Sequence, residues 1–238
     1  MSIAEKLTTI AENEQKVYDA GQKSEYDRFW DDFQQNGERT QYVAAFSACW
    51  TPETFKPKYP IRPTNAYFMF FNNHGDGICI EDFVEFCAEN NVVLDFSQCT
   101  NAQYGIGCLK SSHFGVLDFS KCTSMSNLFY LHNSALEVYN VQTIDKFVSS
   151  EITTYSTSTF QHAVQLKNVV FEGVIATGVF DVSTCKKLTH DSLMSIINAL
   201  KDYSGSSTTK ICTLGADNLA KLTDEEKAIA TQKGWTLA

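Results

Sequence analysis

The alternation of apolar and polar positions is clearest in two near-identical octapeptides, Val-Leu-Asp-Phe-Ser-Gln-Cys-Thr at residues 93–100 and Val-Leu-Asp-Phe-Ser-Lys-Cys-Thr at residues 116–123. In each, one aspartate separates a leucine from a phenylalanine. A short strand would turn both apolar side chains to one face and the acid to the other. A looser version, Phe180-x-Val182-x-x-Cys185, keeps the alternation and the distance to a cysteine. Such internal similarity predicts one small unit laid down more than once, with neighbours stacked. Between these versions the pattern drifts: Phe129 leads to Leu136 and Val138, and Phe160 leads to Leu166, Val169 and Phe171, at unequal spacing.

Steps of three and four residues predict helices towards both ends. Ser2 can cap a helix over residues 2–20 with Ile3, Leu7, Ile10 and Val17 along one side, and Gly21 weakens it. A second piece begins at Ser24, places Tyr26, Phe29, Trp30 and Phe33 on one face, and stops at Asn36-Gly37. Ile80, Phe83, Val84 and Cys87 mark a short amphipathic helix over residues 80–89. Thr189 opens another, with Leu193, Met194, Ile196, Ile197 and Leu200 as a wide apolar face. A strand is expected at residues 211–214. Thr223-x-x-Glu226 reads as a capping box opening a further helix, and Trp235-Thr236-Leu237 as a closing strand or anchor. Residues 38–73 are irregular, with Trp50, all four prolines and an aromatic cluster at 67–71. The expected organisation is an N-terminal helical segment (1–36), a connector and N-terminal cap (37–90), repeats (91–187) and a C-terminal cap (188–238).

Leu94-x-Phe96-x-x-Cys99, Leu117-x-Phe119-x-x-Cys122 and Phe180-x-Val182-x-x-Cys185 fit the L-x-L-x-x-N/C core of a leucine-rich repeat. Residues 160–166, Phe-Gln-His-Ala-Val-Gln-Leu, are similar to the Phe-x-x-Cys/His-x-x-Leu turn of the BspA-like group. Over about half its length the chain thus resembles BspA-like leucine-rich-repeat proteins, and its two ends are similar to repeat proteins encoded in phage or prophage tail regions of gut Firmicutes. The resemblance implies an α/β repeat fold: an irregular leucine-rich-repeat solenoid with short strands, a helical N-terminal extension and a helix/strand C-terminal cap. It also implies a non-enzymatic protein that binds a protein or a cell-surface glycan, with a phage tail as one setting. On such a stack the outward strand positions Asp95, Asp118, Glu137, Tyr139, Glu172 and Asp181 form the candidate binding face, although solvated strand positions would be polar without any partner. The cysteines at the shared position are expected to be buried, not reactive.

Composition narrows the partners. The 238 residues carry a formal net charge of -9, which leaves no basic surplus for phosphate and argues against nucleic acid or an anionic membrane. No stretch reaches the roughly 20 apolar residues that cross a bilayer, and the first residues lack the basic and then apolar segments of a secretory signal. The start reads like that of a chain made in the cytoplasm, or of one from which a signal was trimmed; the place of action is left open, with a virion or cell surface as one setting. Helices as short as those in residues 1–36 are marginal alone, so they either pack on the rest or join copies into a homo-oligomer.

Candidate chemistry is sparse. Asn72-Asn73-His74-Gly75-Asp76-Gly77 begins like a calcium loop, but Phe83 stands at the twelfth place where a bidentate glutamate belongs. The five histidines are scattered and the eight cysteines form no C-x-x-C, so neither zinc nor a cysteine nucleophile is indicated. Gly105-Ile-Gly107-Cys-Leu-Lys110 lacks the third glycine of a dinucleotide loop. No cofactor, no metal and no catalysis are expected. The alternatives to a binding protein are a structural subunit of a larger assembly and an enzyme with a site near His74 and Asp76.

Overall fold

The computed structural model describes residues 29–30, 32–42, 45–46, 51–52, 54–67, 69–70, 80, 82–106, 112–129, 141–207 and 210–238. The expected helix over residues 2–20, the segment 72–77 with His74 and Asp76, and the candidate residues Glu137 and Tyr139 lie outside them. The strands are β1 (His113–Asp118), β2 (Thr143–Ser149), β3 (Thr154–Tyr155), β4 (Asn168–Gly173), β5 (Thr177–Gly178), β6 (Phe180–Asp181), β7 (Lys210–Thr213) and β8 (Trp235–Leu237). The α-helices are α1 (Phe83–Glu89), α2 (His190–Ala199), α3 (Ala216–Leu219) and α4 (Asp224–Gln232). Residues 29, 30 and 32–34 are also helical.

The strands form two three-stranded parallel sheets, β1-β2-β4 and β6-β7-β8, and a two-stranded parallel pair, β3-β5. Single-residue parallel bridges link Gln41, Asn65, Asn101, Ser124 and Thr154 in succession. The expectation of an irregular leucine-rich-repeat solenoid is therefore corrected: small separate sheets and few helices stand in its place. The reason is visible at the two octapeptides. The second lends Val116, Leu117 and Asp118 to β1, which pairs with β2, whereas in the first Leu94 makes only an isolated bridge to Ile61. Near-identical sequence does not give the two segments one pairing partner, so no sheet runs through both.

Their local chemistry is nonetheless shared. Cys99 and Cys122 are fully buried, and each thiol donates to the carbonyl two residues on, Asn101 O at 3.2 Å and Ser124 O at 3.1 Å. Thr123 N donates to Thr100 O at 2.9 Å. Phe96 packs on Phe119 with ring centroids 5.3 Å apart, and the aromatic row continues through Phe147, Phe171 and Phe180. At the other end of the core Trp30 is fully buried against Phe46 and Phe55, and its indole N–H donates to Thr54 O. Gln34 is buried without penalty because its amide accepts from Lys58 N and Tyr59 N and donates to Tyr59 O. Of the aromatics in the irregular stretch 38–73, Tyr42, Phe46, Phe55 and Phe70 are buried in the core.

β2 carries a bulge. Ile144 pairs with Val169 and Phe147 with Phe171, so Asp145 and Lys146 stand against Val170 alone. The extra residue lets Ile144 and Phe147, three apart, both point inward. At the C-terminal end the expected caps are found. Thr189 accepts from Ser192 N at the start of α2, and Thr223 and Glu226 form the capping box of α4. Ser192 and Ser195 project from α2 onto β4, where their hydroxyls accept from Val169 N at 2.9 Å and Phe171 N at 2.7 Å.

Candidate functional site

The structure brings only two of the described candidate acids together. Asp118 is in register with Val148, and Val148 with Glu172, so the two acids flank one strand, about 10 Å apart. Asp181 lies on β6 in the other three-stranded sheet, and Asp95 follows the isolated bridge at Leu94. Asp95, Asp118 and Asp181 share a local task. Each accepts the N–H of the serine two residues on, at 3.0 Å from Ser97, 2.9 Å from Ser120 and 2.9 Å from Ser183. Hydrogen bonds of this kind fix a turn at a strand end and need no partner molecule. Those from Ser97, with Arg62 beside it, hold the Asp95 carboxyl below its usual range.

The outer face of β1-β2-β4 has a different character from an acidic strip. His113 Nε2 lies 2.8 Å from Asp145, and Lys146 Nζ lies 2.7 Å from Glu172. On the two outer strands, either side of Lys146, stand Val116, 62% exposed, and Val170, 50% exposed. Lys146 is registered against Val116 and, through the bulge, shares the row of Val170. Two open aliphatic positions flanking a lysine whose charge is paired with Glu172 give a surface that joins apolar contact with polar orientation. Val116 was legible in the sequence, because inward Leu117 and Phe119 force it outward. The Lys146–Glu172 pair was not, since it depends on the bulge.

Beside this face runs a slot between α1 and β1. An apolar part of about 230 Å³ is lined by Val84, Ala88, Leu94, Phe96, Gly115 and Val116, among others. A more polar hollow of about 540 Å³ continues it, adding Asp82, Glu85, Ser112 and His113. It exists because residues 93–100 and 116–123 meet at Thr100 and Thr123 but part towards Leu94, which turns to Ile61 instead.

Other polar clusters fit structural duties. Among the described residues no group of three or more His, Cys, Asp or Glu side chains is placed to hold a metal ion. Burial pushes the thiols of Cys87, Cys185 and Cys212 up to about 12, which keeps them in the unreactive thiol form. His190, on the surface, lies 2.7 Å from Glu226 and 3.5 Å from Asp191, and these hydrogen bonds raise its pKa. No described helix is long and apolar enough to cross a membrane. No family model, curated protein or solved structure matches the chain.

Proposed function

We propose that this chain is a non-enzymatic binding protein whose partner is another protein, engaged across the outer face of β1-β2-β4. The observation that carries this reading is the pair of open valines, Val116 and Val170, on either side of Lys146, whose charge is paired with Glu172, with the His113–Asp145 contact nearby. Burial of the valines contributes about 25 cal/mol per Å² of apolar surface, while the charges beside them set orientation. A glycan is the weaker fit, because sugar recognition draws on exposed aromatic faces and the valines offer none. Residues 1–36 would attach the chain to a larger assembly, such as a phage tail or a homo-oligomer.

Capture from a bacterial surface extract followed by lysine cross-linking and mass spectrometry tests the location. Links to the partner are expected from Lys121, Lys146 and Lys167, which lie on or beside the sheet. Links from Lys221 and Lys227 alone would move the interface to the C-terminal end and contradict the proposal.

A further inference from the structure

The two edges of the three-stranded sheet are finished differently. At β4, Ser192 and Ser195 of α2 accept the N–H groups of Val169 and Phe171, so the helix closes that edge. At β1, which is the outer strand on the other side, no backbone hydrogen bond joins it to residues 91–96 among the described residues. An open strand edge presents donors and acceptors in a row and is a template for another extended chain. Here that edge is the wall of a slot.

We infer that the slot along β1 is a docking groove for an extended peptide segment that adds a strand to β1 and carries lysine or arginine beside aliphatic residues. The inference rests on the protein-binding reading above and names its partner's chemistry. The extended form follows from the edge, because a helix has already used its own N–H and C=O groups and has none to offer β1. The six residues of β1 span about 20 Å, room for a segment of similar length.

The side-chain preference follows from the lining. Val84, Ala88, Leu94, Phe96 and Val116 give an apolar stretch suited to small aliphatic side chains at alternate positions. At the His113 end, Asp82 and Glu85 are exposed, and among the described residues neither is ion-paired; Ser112 Oγ donates to Asp82 at 3.4 Å. Two carboxylates against one imidazole, itself held by Asp145, favour a cationic side chain at that end.

Selection from a display library of random linear dodecapeptides against the full chain tests the groove. Recovered peptides are expected to place Lys or Arg next to Val, Ile or Thr. Fluorescence anisotropy of the consensus peptide should show affinity falling about tenfold or more in the double variant Asp82→Asn with Glu85→Gln, and again in Ala88→Arg. Asp82 makes no side-chain capping bond, and Glu85 and Ala88 are exposed, so melting temperatures should stay near that of the parent chain. Binding should also slow amide exchange in β1 and leave β7 unchanged. No recovered binder, or binders indifferent to both variants and silent at β1, would overturn the groove. If that happens while partner cross-links from Lys146 and Lys167 persist, the sheet-face reading stands and the groove alone falls. Loss of both overturns both.

Discussion

At the scale of single residues, the same side-chain types serve local structure in one place and surface chemistry in another, and their hydrogen bonds tell which. Asp95, Asp118 and Asp181 each hold a serine N–H, so their conserved spacing within this chain marks a turn. The sequence pattern showed that they point away from the leucines, but not that their carboxylates are already occupied. His190 and Glu226 form the clearest titrating pair. Glu226 is held below its ordinary value by Thr223 N and by His190, and His190 is raised chiefly by Glu226. A raised histidine contributes stability that is present below its unfolded pKa, about 6.5, and is lost as pH rises through the folded value. The depressed glutamate contributes above its unfolded pKa and loses that contribution as pH falls through its folded one. The pair therefore helps between those limits. NMR titration should place His190 above about 6.5 in the parent chain and nearer that value in Glu226→Gln, which keeps an acceptor for Thr223 N but removes the charge. An unmoved midpoint would show that Glu226 does not set it.

At the scale of elements, what could be read from the chain depended on whether the signal was local. Thr189 and the Thr223–Glu226 box announced α2 and α4, because a cap is satisfied within one turn of helix. β2 gave no such signal. Ile144 and Phe147 are three apart, which breaks the alternation of a regular strand, and only the bulge opposite Val170 restores a single inward face. The slot was hidden for a related reason: near-identical octapeptides gave no hint that one would join β1 and the other turn to Ile61. The end of β4 is fixed by backbone geometry. Gly173 has φ +94°, and a Cβ there would lie 1.9 Å from Ser149 O, the neighbouring strand's backbone. Gly173→Ala should lower stability by roughly 3 kcal/mol or more in urea unfolding, whereas Gly205→Ala, with nothing within 4 Å, should stay within about 0.5 kcal/mol. Equal effects would mean that the β2–β4 contact does not fix this end of the sheet.

At the scale of the whole molecule, an aromatic row runs from Phe96 through Phe119, Phe147 and Phe171 to Phe180, and the strands are arranged around it in separate small sheets. That interior gives the outer face of β1-β2-β4 a firm backing. The net charge of -9 and the carboxylates at the slot favour a partner with basic side chains, which would approach faster at low salt than at high. The most direct measurement compares two double variants that remove the same kind of exposed aliphatic surface. Val116→Glu with Val170→Glu alters the proposed face; Ile152→Glu with Ile211→Glu alters residues that are 57% and 53% exposed elsewhere. With both variants melting like the parent chain, quantitative capture of the cross-linked partner should fall about tenfold or more in the valine variant and persist in the isoleucine variant. Capture that survives the valine changes, or is lost only with the isoleucines, would contradict the account.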